Sequence, residues 1–309
     1  MAKMLNLENK LLLNEFYYVV NYKLNERIVN IKYLGGGSNG KAYSIVLSHG
    51  EKIVLKAYRF IGMNETEAQQ LKILSENTSV LMPRVLFTYS NEHVSLLAMS
   101  YIPGKNVLNP LFLLNSKNQK QKFSTDVAKG MLEWHSVTKN KFGDLNDPKF
   151  NTWYEYYRKN KVNVILSEIN QLVKDGKFSS KKYYALCNAT EIFDKCYEEP
   201  KNAVLIHGDL NIMNIMAKPY NIELTGFIDP CGSMWADREY DLYQLQNMWG
   251  NKFFLFETYK KLSGGLSKAS DFRVAYYGAI NEVACRLTGG PIFPIWEDLW
   301  FKRLYAQRL

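Results

Sequence analysis

Polar and apolar positions alternate over residues 29–34 and again over residues 41–47, on either side of Gly35-Gly36-Gly37-Ser38-Asn39-Gly40. Period-two alternation puts one face of a strand on a core, so the pattern predicts a strand, a glycine-rich turn and a second strand. A third run, residues 52–58, is apolar except for its ends and for Lys56 within it. A helical period follows, with Asn64 placed to cap it and Leu71 and Leu74 recurring on one face. Residues 84–89 and 94–104 read as two further strands, the second ending at the Pro103-Gly104 break. From about residue 106 to 200 the period is helical, clearest over residues 123–135 and 153–172, with the polar residues 113–121 read as a loop. Short strands are expected near residues 203–206 and 222–228, and helices from Asp237 onward, one of them over residues 239–249.

The chemistry lies in the second half. His207-Gly208-Asp209 is followed by Asn214 five residues after the Asp, and by Asp229 fifteen residues beyond that. This is the spacing of a kinase catalytic loop and its metal-binding Asp. Phosphoryl transfer needs a carboxylate to orient the acceptor hydroxyl, a role for Asp209. It needs hard oxygen ligands for Mg²⁺, a role for Asn214 and Asp229. Two earlier pieces match a nucleotide site. Gly36, Gly37, Ser38, Asn39 and Gly40 would let backbone N–H groups approach phosphates. Lys56, on a strand, and Glu67, on the next helix, would form the ion pair that holds α- and β-phosphates. Glu65 competes for that pairing, and the spacing to Leu71 favours Glu67. The segment from Gly35 to Ala42 also nears the G-x-x-x-x-G-K-[S/T] pattern, but Ala42 has no hydroxyl and a strand follows it. Backbone groups of Met99, Ser100, Tyr101 and Ile102, at the end of the fifth strand, are the candidates for an adenine.

These pieces predict a bilobal α+β, protein-kinase-like fold. Residues 1–102 would form the N-lobe, an antiparallel sheet with one helix, and residues 103–309 a mainly helical C-lobe. Gly208 stands where most protein kinases carry an Arg that reads an activation-loop phosphate, and no Ala-Pro-Glu follows Asp229. Both point to a small-molecule acceptor.

Composition narrows the alternatives. The 309 residues are 47% hydrophobic, enough for one large or two medium domains, and no apolar run is long enough to span a bilayer. The first residues do not read as a signal peptide, which favours the cytoplasm. Cys187, Cys196, Cys231 and Cys285 form no metal spacing and read as reduced thiols that mostly fill the core. The net charge of +9 comes mostly from scattered lysines before residue 200, which argues against a specific nucleic-acid surface. Residues 201–309 carry 12 basic and 11 acidic side chains.

The segment Phe227-Ile228-Asp229-Pro230, continuing to Asp237-Arg238-Glu239-Tyr240-Asp241-Leu242, resembles the aminoglycoside phosphotransferase and choline kinase superfamily, most closely its fructosamine kinases. His207-Gly208-Asp209, Asn214, His135, Lys141-Phe142-Gly143, Trp153 and Tyr156-Tyr157 extend the likeness, over about residues 30 to 290. The loop ending, Asn211-Ile212-Met213-Asn214, departs from that branch's Trp-Ser-Gly-Asn type. The resemblance implies an ATP- and Mg²⁺-dependent kinase acting on a hydroxyl of a sugar-like or amine-bearing small molecule. A ketosamine is favoured over an aminoglycoside, and an idle or protein-directed kinase is the remaining alternative. Asp237 or Glu239 would bind an acceptor amine; Asp241 would do so or, better, brace the catalytic loop.

Overall fold

The computed structural model describes residues 9–37, 39–288 and 294–306; residues 1–8 and Ser38 lie outside them. Five antiparallel strands form the N-terminal sheet: β1 (Ile28–Gly36), β2 (Gly40–Leu47), β3 (Lys52–Tyr58), β4 (Val85–Ser90) and β5 (Ser95–Ser100), in the order β1-β2-β3-β5-β4. The alternation in β3 decides what each face does. Ile53, Leu55 and Ala57 are fully buried in one cluster, while Tyr58 belongs to the other, so Lys56 points to the second face. Helix α2 (Met63–Ser75) covers that second face through Leu71 and Leu74.

The first face is covered by a helix that the pattern of strands did not predict. In α1 (Asn9–Leu24), Leu12, Phe16, Val19 and Val20 recur at helical spacing and pack on Ile45, Ile53, Leu55 and Leu96. Leu11, Tyr17, Tyr18 and Tyr22 stay exposed, so large apolar residues also stand on the outer face beside Asn21 and Lys23, and the period is hard to see. Asn64 does not cap α2. The helix starts at Met63, and the buried Asn64 amide instead donates to Leu96 O and Tyr89 O and accepts from Ser95 Oγ, pinning α2 to β4 and β5.

The chain leaves the sheet through Tyr101 to Gly104 and forms a short strand, β6 (Lys105–Asn106). The expected loop at residues 113–121 is partly helix: α3 (Lys117–Ser136) begins inside it. Ser116 Oγ accepts from Gln119 N, and Gln119 Oε1 accepts from Ser116 N, a reciprocal cap that starts the helix within the polar stretch. Small strands β7 (Thr138–Lys139), β8 (Phe142–Asp144) and β9 (Pro148–Phe150) follow. Then come α4 (Trp153–Tyr157), a π turn (Arg158–Val162), α5 (Asn163–Lys174) and α6 (Ser180–Cys196). Strand β10 (Ala203–Leu205) leads into the catalytic-type loop, and β11 (Ile215–Lys218) and β12 (Glu223–Phe227) form the hairpin after it. Strand β13 (Met234–Ala236) pairs with β10, placing the residues after Asp229 beside those before Asp209. Helices α7 (Arg238–Leu242), α8 (Leu255–Leu262), α9 (Ser270–Leu287) and α10 (Pro294–Ala306) complete the structure.

The helix expected over residues 239–249 is broken. It runs only to Leu242, continues as a 3₁₀ segment (Tyr243–Phe253), and reverses where Met248 and Trp249 take left-handed backbone angles. Gly250 permits the reversal, because a Cβ there would stand 2.0 Å from the Leu245 carbonyl oxygen. None of the four cysteines is fully buried: Cys196 is half-buried and packs against the main core, Cys187 and Cys285 are half-buried, and Cys231 is exposed. No helix among the described residues is long and apolar enough to cross a membrane.

Candidate active site

The loop between β10 and β11 is fixed at both ends. Ile206 N donates to Met234 O at 3.1 Å, Ser233 Oγ to His207 O at 2.8 Å, and Ile228 N to Asn214 O at 2.9 Å. Asp241, at the first turn of α7, is fully buried and accepts from Gly208 N at 2.8 Å, His207 N at 3.1 Å and His135 Nε2 at 3.3 Å. Burial alone would raise its pKa. The His135 hydrogen bond and charge, with the Gly208 amide, outweigh that and hold the carboxyl below the usual range. Asp241 therefore braces the loop as an ionised acceptor.

Gly208 explains itself by space. Its φ is +83°, and a Cβ would lie 2.3 Å from Cys231 O and 2.8 Å from the Gly232 carbonyl carbon, both backbone atoms that cannot step aside. No side chain of any kind, Arg included, fits at this point. We expect Gly208→Ala to destabilise the fold by roughly 2–4 kcal/mol, read as a lower urea midpoint at unchanged m. A midpoint equal to wild type would show that the two backbone segments separate freely.

Asp209 sits in a ring of amides. Its Oδ1 accepts from Asn211 Nδ2 at 2.9 Å and Gln244 Nε2 at 2.8 Å, and its Oδ2 from Asn214 Nδ2 at 3.1 Å. Burial, then the charge of Asp229, pushes its carboxyl up to about 7, against the pull of the Asn211 and Asn214 amides. His207 is buried, and burial pushes its pKa down to about 4, so its ring is neutral; Nδ1 accepts from Asp209 N at 3.3 Å. With its nitrogen facing Asp209, Asn214 has its Oδ1 left as the atom a hard cation could take.

Asp229 has a left-handed φ of 59° and a carboxylate that is 47% exposed. Lys56 Nζ lies 2.5 Å from Asp229 Oδ1 and 2.6 Å from Glu67 Oε2. Tyr58 OH donates to the same Glu67 oxygen at 2.8 Å. Burial favours loss of the Lys56 proton, but Asp229 and Glu67 together hold the ammonium well above the usual lysine range. Glu67 is itself pushed up by burial and by Asp229, partly offset by Lys56. The spacing reading thus meets in one place: Lys56, Glu67, Asp209, Asn214 and Asp229 are linked by direct contacts or a single intervening residue. Among the described residues no group of three His, Cys, Asp or Glu side chains is arranged to hold a metal. A divalent cation here would rest on Asp229, Asn214 Oδ1 and oxygens of a bound phosphate, which suits Mg²⁺.

The glycine-rich turn is shorter than its sequence. β1 runs through Gly35 and Gly36, which pair with Ala42 and Lys41, and Gly37 N donates to Gly40 O. Gly40 serves packing, since a Cβ there would stand 2.1 Å from Ala57 O. Asn39 reaches across the cleft to Cys231 Sγ at 3.8 Å. At the other edge, Met99 is buried between Val54 and Val85, and Ser100 N donates to Arg84 O. Those groups serve the sheet, which leaves the backbone of Tyr101 and Ile102, beyond the end of β5, as the remaining candidates of the four.

Asp237 and Glu239 are paired within the protein, against the expectation that they bind an acceptor amine, while Asp241 is seated as a brace. Asp237 is buried against Arg273 Nη2 and accepts from Tyr277 OH at 3.1 Å. Glu239 lies 3.2 Å from Arg273 Nε and accepts from Ser267 N at 2.8 Å. With Asp241 committed to the loop, all three carboxylates are spent on the protein's own groups, because a buried charge must be paired where it stands. Gln244 was not legible in the sequence at all. It follows Asp209 by 35 positions and reaches it from the turn just after α7.

The profile of the phosphotransferase enzyme family matches residues 30–262, and the chain belongs to that family. Protein YcbJ of Escherichia coli K12, described as uncharacterized, is 22% identical over 235 residues, 74% of this chain and 77% of that one. A candidate fructosamine-3-kinase from Thermobifida fusca YX-ER1 superposes with a TM-score of 0.68 at 17% identity, covering 95% of this chain and 98% of that one. A GDP and kanamycin complex of APH(2″)-IIIa superposes with a TM-score of 0.69 at 16% identity, covering 94% and 97%. The fold is kinase-like and α+β.

Proposed function

We propose that this member of the phosphotransferase enzyme family is an ATP- and Mg²⁺-dependent kinase that phosphorylates a hydroxyl of a small amine-bearing, sugar-like molecule, a ketosamine before an aminoglycoside. The observation that carries the kinase reading is the continuous line from Glu67 through Lys56 to Asp229, beside Asp209 in its ring of amides. Bound Mg·ATP would supply the transferable phosphoryl group and neutralise its developing charge. Lys56 would hold phosphate oxygens, and Asp229 and Asn214 the cation. Asp209 would orient the acceptor hydroxyl and accept its proton. All four groups are intact, which favours an active enzyme over an idle binding module.

Free acidic groups favour the smaller cation. Of five acids that could build a local acidic pocket, four are paired: Asp237 and Glu239 with Arg273, Glu297 with Lys182 and Arg286, Asp298 with Lys182. Glu282 alone has no ion pair or hydrogen bond among the described residues. Burial, then Glu297, pushes its carboxyl up to about 7, so an ammonium partner would stabilise its ionised form. It lies on α9, one turn before Cys285, whose thiol is pushed up to about 11 by burial and then by Glu282. A half-buried Lys161, its pKa lowered by burial, neighbours Cys231 and Cys285 and would oppose a polycation. One free carboxylate suits one amine; a polycation would leave ammonium groups unmatched.

The test is transfer from γ-labelled ATP to a panel of ketosamines, amino sugars and aminoglycosides. Label on a ketosamine supports the reading. Label on aminoglycosides alone reverses the order, and label on protein side chains alone removes the small-molecule class. With the amine-bearing acceptor so found, Glu282→Gln is expected to raise its KM about tenfold and leave kcat within about twofold. An unchanged KM would place the amine elsewhere.

A further inference from the structure

Three buried side chains outside the catalytic loop form a hydrogen-bonded line that ends on Asp209, and the Gln244 amide nitrogen in it also donates to Tyr243 OH at 3.1 Å. The Trp300 indole Nε1 donates to Asn247 Oδ1 at 3.0 Å. Asn247 Nδ2 donates to Gln244 Oε1 at 2.9 Å, and Gln244 Nε2 donates to Asp209 Oδ1 at 2.8 Å. The relative exposures are 0% for Trp300, 5% for Gln244 and 7% for Asn247, so these polar groups have little access to water and depend on each other.

The direction of the line follows from chemistry. An amide can turn over and exchange its donor and acceptor ends, whereas an indole N–H can only donate. Trp300 therefore draws the oxygen of Asn247 toward itself. That turns the Asn247 nitrogen to Gln244, which must accept there, and the Gln244 nitrogen is then aimed at Asp209. The left-handed pair Met248 and Trp249 reverses the chain and sets Asn247 between the other two. Non-glycine residues keep such angles only where their surroundings fix them.

We infer that Gln244 is a positioning residue for phosphoryl transfer, its amide oriented by Trp300 through Asn247 so that it donates to Asp209. With Asn211 it fills Oδ1 with two donors, while Oδ2 has one, from Asn214, and keeps a lone pair for the acceptor hydroxyl. The consequence is that the seating of α10, which carries Trp300, sets the orientation of the carboxylate. This rests on the reading of Asp209 as the group that orients the acceptor.

Two measurements on the full-length chain test it. In ¹⁵N-labelled protein the Gln244 side-chain amide, assigned by its loss in Gln244→Met, should show two well-separated proton shifts, one proton being bound to a carboxylate. Asn247→Leu leaves the Gln244 oxygen without its donor, so the amide is no longer held in one orientation and the separation should narrow; Trp300→Phe, which frees Asn247 to turn over, should narrow it too. Signals unmoved by both changes would overturn the relay. In hydrolysis of Mg·ATP with water as acceptor, Gln244→Met is expected to lower kcat about tenfold with KM for ATP within about twofold. Adding Trp300→Phe should cost nothing further, since both act through one line; independent, multiplying losses would overturn the inference. Wild-type hydrolysis in Asp209→Asn, with the amide signals still responding, would instead sink the role of Asp209 and leave Gln244 a structural residue.

Discussion

Asp229→Ala is expected to abolish both turnover and the dependence of ATP binding on Mg²⁺. The carboxylate is half exposed and faces the cleft, held by Lys56 at 2.5 Å. A carboxylate oxygen so placed suits a hard divalent cation, and Asn214 Oδ1 alone is a single amide ligand. Its loss also frees Lys56, which would then pair only with Glu67, so ATP affinity without the metal should change little. Titration calorimetry with ATP, with and without Mg²⁺, separates the two effects. A variant whose ATP affinity still rises with Mg²⁺ as in wild type would place the ligand elsewhere.

Asp209→Asn is expected to cut turnover about 10²-fold or more, with nucleotide binding near wild type, as loss of a positioned base would. Its effect on stability should run the other way. The folded-state pKa, raised to about 7, lies above the unfolded one. Such a carboxyl gives its full stabilisation only below the unfolded value, and that stabilisation is lost as pH rises through about 7. The Asn side chain does not ionise, so the variant should gain on wild type between about pH 4 and 7. The gain should reach about 1 kcal/mol or more at pH 8. Urea midpoints at several pH values, beside turnover, check this. Loss of activity together with loss of stability at pH 8 would point to a scaffold role instead.

The chemistry was legible because it depends on short spacings. His207-Gly208-Asp209 and Asn214 share one loop, and β11 and β12 return Asp229 to it. Lys56 and Glu67 are separated by one turn between a strand and a helix, and Leu71 marks the side on which Glu67 is buried. What was not legible depends on partners distant in the chain. Asp237 and Glu239 looked free for an amine because Arg273, their partner, lies on another helix. Gln244 gave no signal, since its partner Asp209 lies 35 positions earlier in the chain, and the left-handed backbone at Met248 and Trp249 that breaks the expected helix is one that residue type disfavours. Two misses did carry a readable cue. Ser116-x-x-Gln119 is a capping box in a stretch read as loop, and Leu12, Phe16, Val19 and Val20 keep a helical period among other apolar residues. Asn64 failed differently: a good capping residue became a buried clamp because β4 and β5 offered it more partners.

Phosphorus NMR of the γ-phosphate of ATP, followed with wild type, Asp209→Asn and Asp229→Ala in the presence of Mg²⁺ and the ketosamine panel, tests phosphoryl transfer at this site most directly. The expected result is conversion of ATP to ADP with a new phosphomonoester signal in wild type and in neither variant. ATP left intact by the wild-type protein, or the same ester formed at equal rate by the variants, would contradict it.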